Sequence, residues 1–456
     1  MNFRRPFSAA LLASLFLALQ AQAQSTIKPS MEELIAALQK EASAGVGFDP
    51  VAWADGFMAI DEAPQFRGGI IGTKQPETSP AMREIVRRGV EALPTLLAHL
   101  DDARPTGLIV GKGFMGRWLA AEYAPREPGK QPAGTTAPYK SPSKGAPSFD
   151  TYTVKVGDLC FVAAGQIVNR RLTAVRYQPT LCLVVNSPIE MPALAAAARA
   201  DWQGLTPAAH EQQLVRDIAE SDTSYVPANA LRRLLFYYPA SGQQMAVKLL
   251  ERPLYNSSLG WRFATTRLLS TDEPAQWERR LREFRAENGD ANAEGVRITL
   301  QLIATREPSP FDKPHQRDRA AAALAHLFPE SGRASTVSLP DTNCSGQQEI
   351  VLATMEFPSR EIDEAALAML PRIQALEQTN PDEEFAQNAL VRTVARRLAR
   401  YATNDPALRA RAAKALTAFL ESRPKLARKK PPLSEVARIR NDLAGSQPTH
   451  SSASGM

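Results

Sequence analysis

Ala228-Asn-Ala-Leu-Arg-Arg-Leu-Leu-Phe-Tyr-Tyr-Pro-Ala-Ser-Gly-Gln-Gln-Met-Ala-Val-Lys-Leu-Leu250 reads as two short helices in succession. Leu231, Leu234, Leu235 and Tyr238 recur at three- and four-residue spacing, which gathers them on one helical face. Pro239 ends that run, because proline has no N–H to give a continuing helix. Ser241 is placed to cap the second helix, whose stripe is Met245, Leu249 and Leu250 until Pro253 stops it. So short a connection makes the two helices antiparallel neighbours.

The same pattern runs along most of the chain. Ser30 with Glu33 forms a capping box for a helix through Leu34, Ile35 and Leu38. Ser79-Pro80 opens another with Met82, Ile85 and Val86 on one face, and proline at the first helical position leaves no donor unmet. Gly89 breaks it, and Leu93, Leu96, Leu97 and Leu100 supply its partner. Further helices are predicted over 274–287, 291–306, 316–327, 347–355 and 361–376. The clearest pair has Phe385, Val391, Val394, Leu398 and Tyr401 on one helix. Its partner opens at Asp405-Pro406 and carries Leu408, Ala412, Leu416, Phe419 and Leu420.

Residues 125–150 interrupt this order with six prolines and few apolar side chains, the composition of a mobile loop. Tyr152–Val156 and Leu181–Val185 are candidates for two short strands. Asp158 is placed to cap a helix through Leu159, Val162, Ala163 and Ile167, and Ser187-Pro188-Ile189-Glu190 reads as one more helix start. The fold class expected is mostly all-α. It is an irregular α-solenoid of antiparallel helix pairs, with a Pro-rich loop insertion and room for two short strands. The divisions read from composition are a signal peptide at 1–23, a helical region at 24–124, the loop at 125–150, a helical-repeat body at 151–422 and a basic flexible tail at 423–456. That tail contains one marginal helix near Ser434–Leu443.

Gly89-Val-Glu-Ala-Leu-Pro-Thr-Leu-Leu-Ala-His-Leu-Asp101 resembles the second half of a HEAT-type helical repeat, with Gly at the turn, Pro near the second helix start and Asp after it. The later pairs, 228–251 and 385–420, are similar in architecture. The resemblance implies a curved helical scaffold that binds partners through its surface, and it implies no active site. Tyr152–Pro188, with Val156-Gly-Asp-Leu-Cys-Phe161 and Asn169-Arg-Arg-Leu-Thr-Ala-Val-Arg-Tyr177, also resembles a group of exported bacterial proteins, a likeness that brings no activity with it.

The first residues set the expected compartment. Arg4 and Arg5 precede an apolar run from Phe7 to Leu19, and Ala21-Gln22-Ala23 is a small-x-small cleavage site. The expectation is an exported, periplasmic protein of about 430 residues after cleavage, soluble and without a transmembrane segment in its mature part. General secretion is the main expectation. Arg4-Arg5-Pro6-Phe7 partly resembles the twin-arginine signal, with Phe3 where Ser or Thr is usual. Three cysteines, Cys160, Cys182 and Cys344, are too few for a disulfide framework. A Cys160–Cys182 bridge and buried free thiols are the two readings.

Charge is uneven. Residues 391–440 hold 14 Lys and Arg against 3 acids, while the whole chain sums to only +6. Between Arg392 and Lys414 these cations interleave with an apolar stripe and read as solvated helix faces. Arg423, Lys425, Arg428, Lys429 and Lys430, followed by Pro431-Pro432, read instead as an extended basic segment for an acidic partner: a protein or an anionic envelope component, not nucleic acid.

Motifs for chemistry fail in context. Gly111-Lys-Gly113-Phe-Met-Gly116 matches a dinucleotide turn and precedes a helix-like Arg117-Trp-Leu-Ala. Between Pro128 and Phe149, however, no acid is present to bind a ribose. Ser141 and Lys144 match S-x-x-K, but they lie in the Pro-rich loop with no K-T-G after them. The five histidines and three cysteines show no metal-ligand spacing. No catalytic, cofactor-binding or metal-ligating set is assigned. The function expected is an exported non-enzymatic scaffold or binding protein of the cell envelope. The alternative is an exported hydrolase with a site near 150–190, formed where Asp158, Asn169, Arg170, Arg176 and Tyr177 would converge.

Overall fold

A computed structural model describes residues 28–42, 48–49, 57–60, 79–110, 117–119, 151–170, 172–177, 183–220, 225–252, 254, 265, 267–288, 290–305, 316–329, 344–376, 381–402, 405–424 and 428–445. The expected signal segment and loop (1–23 and 125–150), Gly111–Gly116, Ser141, Lys144 and Cys182 lie outside these residues. The chain is mostly helical, and its side chains form three apolar cores.

The first core runs from Leu34 to Trp202 and so joins residues on both sides of the 125–150 segment. It contains α1 (Met31–Ala37), α2 (Pro80–Arg87), α3 (Leu93–Ala98), α4 (Val156–Val168) and α5 (Pro192–Trp202). Six short strands accompany them: β1 (Phe48–Asp49), β2 (Pro105–Val110), β3 (Arg117–Leu119), β4 (Tyr152–Lys155), β5 (Val175–Tyr177) and β6 (Leu183–Val185). The two expected strands are β4 and β6. β2 and β4 pair antiparallel, and a four-stranded sheet has the order β1-β5-β6-β3. Within it β1 runs parallel to β5, β5 antiparallel to β6, and β6 parallel to β3. Arg117–Leu119 is thus a strand and not the start of a helix, because Leu183–Val185 offers it a ladder that local propensity does not foresee.

α4 is the axis of this unit. Every one of its residues except Gln166 is buried, as expected of a helix that is apolar all round. α2 and α3 pack against it, so the HEAT-like segment sits on α4 and α5. Gly89 adopts φ +60°, open to glycine at little cost, and a Cβ there would come within 2.9 Å of the Tyr237 ring.

Several expected caps are in place. The Ser30 and Glu33 box closes at 3.2 and 2.6 Å, Ser79 accepts from Met82 N, and Asp405 from Leu408 N. The helix expected from Ser187 starts instead at Pro192. Pro192 holds Met191 out of the helical region (φ −132°, ψ 82°), so Ser187 to Glu190 form only a turn.

The second core begins with Leu214 and holds the solenoid. Its helices are α6 (Pro207–Glu220), α7 (Tyr225–Tyr237), α8 (Pro239–Leu250), α12 (Cys344–Ala353), α13 (Arg360–Gln374), α14 (Pro381–Tyr401), α15 (Pro406–Glu421) and α16 (Leu433–Gly445). They stack in two layers. α7, α12, α14 and α16 follow one another in the first, and α8, α13 and α15 in the second. α8 meets α12 and α13 directly, although residues 251–343 separate them in sequence. That excursion carries α9 (Pro274–Asn288), α10 (Asp290–Thr305) and α11 (Gln316–Leu327), which enclose the small third core around Trp277, Leu281, Val296 and Leu300.

Two local expectations change in the solenoid. Ser241 does not cap α8, because Pro239 is already its first residue; the Ser241 hydroxyl bonds Glu211 instead. Phe385 is 64 % exposed. It lies six residues before Val391, which at about 100° per residue places it off the stripe of Val391, Val394 and Leu398.

α7 and α8 approach so closely that a Cβ on Gly242 would fall 2.5 Å from the Leu235 backbone. Gly242→Ala should therefore destabilise the protein by about 1–3 kcal/mol through overpacking. Urea unfolding followed by circular dichroism would show this as a lower midpoint.

Candidate functional site

The densest cluster of buried polar side chains lies where the N-terminal unit meets the solenoid. It forms around the C-terminus of α4, because the last carbonyls of a helix have no partner within it. Asn169 ends α4 in the left-handed conformation (φ 57°), a region asparagine tolerates better than most residues. Side chains from the next helices then take the exposed carbonyls. Arg233 on α7 donates to Gln166 O, His210 on α6 to Ile167 O at 3.0 Å, and Gln213 on α6 to Val168 O at 2.8 Å.

α6 is built for this contact. His210, Gln213 and Asp217 recur at helical spacing and face α4, while Leu214 and Ile218 on the adjoining stripe enter the second core. Asp217 is fully buried and takes a two-bonded contact from Arg170, at 2.6 Å from Nη1 and 3.0 Å from Nη2. Asn169 Nδ2 adds a third bond at 3.1 Å, and Arg170 lies 5.5 Å from the Trp202 ring. The His210 bond to a carbonyl assigns the proton to Nε2, so Nδ1 accepts from the Tyr238 hydroxyl at 3.0 Å. Burial, reinforced by the nearby Arg233 and Arg170 charges, pushes His210 down to about 4. Tyr237 closes the joint by donating to Val86 O, with Phe57 packed edge-on at 5.7 Å.

Of the residues weighed for a hydrolase site, Asp158 does not meet Asn169 and Arg170. Asp158 lies at the opposite end of α4 from Asn169 and Arg170, about 16 Å away at 1.5 Å per residue. It accepts from Lys155 N at 2.9 Å and from the Tyr152 hydroxyl at 2.7 Å, and burial raises its carboxyl. Arg176 and Tyr177 belong to β5. Cys160 is a buried free thiol, raised well above its ordinary value by burial. Among the described residues, no group of three or more His, Cys, Asp or Glu is placed to hold a metal ion. No helix among them is long and apolar enough to cross a membrane.

The basic segment is rearranged relative to expectation. Arg423 is buried: Nη2 donates to Gln387 Oε1 at 3.0 Å, and the guanidinium lies 4.4 Å over the Phe419 ring. Arg428 caps the end of α15 through Glu421 O and Arg423 O, at 2.9 and 3.0 Å. Lys429 and Lys430 are exposed, and Lys425 lies outside the described residues. The expected flexible tail thus contains α16, whose Leu433, Val436, Ile439 and Leu443 enter the second core. The arginines read as solvated are also more engaged than expected. Arg397 is fully buried against Asp363. Arg396 and Arg411 pair with Glu435 and Glu364 on neighbouring helices, and Arg400 with Glu356 in the turn after α12. These partners lie tens of residues away, beyond the reach of a helical-wheel reading.

No protein-family model, curated protein or solved structure matches this chain.

Asp217→Asn would leave Arg170 buried without its counter-charge and should cost about 3–5 kcal/mol in denaturant unfolding. His210 sets a pH dependence. An unfolded histidine titrates near 6.5 and His210 at about 4, so between those values the unfolded chain binds more protons. Its contribution is therefore complete above pH 6.5 and declines as pH falls toward 4, by up to about 3 kcal/mol. His210→Gln should flatten the stability-versus-pH curve in that window.

Proposed function

We propose that this chain is an exported, non-enzymatic scaffold of the cell envelope that binds an acidic protein partner or envelope component through its solenoid surface. The observation that supports this reading best is the two-layer stack of α7, α8 and α12–α16. Such a stack presents a long, continuous surface while each helix pair needs contact only with its neighbours. Export rests on the charged start, apolar run and Ala21-Gln22-Ala23 of the N-terminus.

In this reading the basic contact rests on two lysines. Arg423 and Arg428 hold the end of α15, so Lys429 and Lys430 are the described cations of the original segment left to face a partner. Exposed charges of this kind act at long range and are screened by salt.

The test is cross-linking and affinity capture from native envelopes with intact protein and with Lys429→Glu/Lys430→Glu, at low and at high salt. Cutting at 423 would remove α16 and confound the result with unfolding. A discrete partner that is captured at low salt and reduced at least threefold by the double substitution is the expected result. No partner at either salt would set the reading aside in favour of an unbiased hydrolase screen.

A further inference from the structure

The buried arginines of this protein share a habit, and Arg252 breaks it. Arg170 meets Asp217, Arg233 meets Gln166 O and Asn229 O, Arg397 meets Asp363 and Phe357 O, and Arg423 meets Gln387. Arg252 is also buried, with 8 % of its surface exposed, yet no acceptor among the described residues reaches its buried Nη1. Its guanidinium is lowered to about 10 by burial, with no carboxylate opposing the shift.

Position makes the omission informative. Arg252 lies just past α8, where the chain leaves the stack for the α9–α11 excursion and where α12 and α13 resume it. The carbonyls at this helix end are already taken: Gln347 donates to Leu249 O at 3.0 Å, and Arg372 to Leu250 O and Arg252 O at 2.5 and 2.6 Å. Arg252 is therefore not needed as a cap. A buried guanidinium nitrogen without an acceptor opposes folding, and the planar fork of arginine matches a carboxylate.

We infer that Arg252 anchors a carboxylate-binding site at the seam between α8 and the α12–α13 pair, its ligand being the acidic group of a small molecule or peptide. The site stands on these contacts alone and does not depend on the scaffold reading.

Acetate is the probe. Thermal unfolding of the full chain, at constant ionic strength with chloride exchanged for acetate, should show a saturable rise in Tm, since a ligand bound only by the folded state stabilises it. Arg252→Met should lose that rise, with acetate binding at least about tenfold weaker, as befits a charge-assisted hydrogen bond removed. Without acetate its Tm should equal or exceed that of the parent protein, because an unpaired buried charge has gone. A purely structural arginine would give the opposite, a lower Tm. Arg252→Lys, which keeps the charge but not the fork, provides a second test and should respond more weakly than the parent. An equal acetate response in parent and both variants, no response in the parent, or a response to inorganic phosphate alone would overturn the assignment.

Discussion

The carbonyl groups at the ends of helices are the constraint on which this architecture turns. An α-helix leaves its last four carbonyls without partners, and many helices resolve this with a glycine that turns the chain back on itself. Here several helix ends are received by side chains from elements farther along the chain. Arg199 on α5 takes Leu97 O at the end of α3, and Tyr237 takes Val86 O at the end of α2. Arg233, His210 and Gln213 receive α4, while Gln347 and Arg372 receive α8. Arg397 and Tyr401 receive the turn after α12 through Phe357 O and Met355 O, at 3.1 and 2.7 Å. Each bond contributes about 1 kcal/mol net, and more where the donor is charged. Their larger effect is to fix which helix follows which, since a cation is also favoured at the negative end of the helix dipole.

This accounts for two features that composition leaves obscure. The excess of arginine is partly structural: a guanidinium offers five donors and can hold a carbonyl and a carboxylate together. Arg397 does so with Phe357 O and Asp363. It also explains how the solenoid tolerates an excursion of some ninety residues between α8 and α12. The end of α8 is received by Gln347 and Arg372, both on the far side of the interruption, so the stack is continuous in space where it is broken in sequence.

What the sequence reveals follows from the range of the interactions involved. Helix pairs are legible because their apolar stripes repeat within a few residues, and caps such as Ser30, Ser79 and Asp405 because donor and acceptor lie three residues apart. The mixed sheet of the first unit is not legible. Arg117–Leu119 becomes a strand only through Leu183–Val185, more than sixty residues away. Arg423 reads as part of an extended basic segment because Gln387, its partner, sits thirty-six residues earlier on another helix. The cluster at the joint is half legible: Asn169 and Arg170 are polar residues beside an apolar helix, but nothing near Asp217 in sequence marks it as their acceptor. Its one signal was polar residues at helical spacing on an otherwise amphipathic helix, His210, Gln213 and Asp217, which together face a partner and not water.

That helix, α6, settles how the two larger units relate. One of its stripes is buried in the solenoid core through Leu214 and Ile218, and the other is bonded to the end of α4 through His210, Gln213 and Asp217. A hinge at this place would have to break a doubly bonded ion pair and expose several helix-end carbonyls at once, and buried polar groups stripped of partners are expensive. The joint therefore transmits position instead of permitting motion. The first unit sets the orientation of α6 and α7, and α7 begins the layer that continues through α12, α14 and α16. The binding surface proposed for that layer would then be fixed before any partner arrives, which would lower the ordering cost of association.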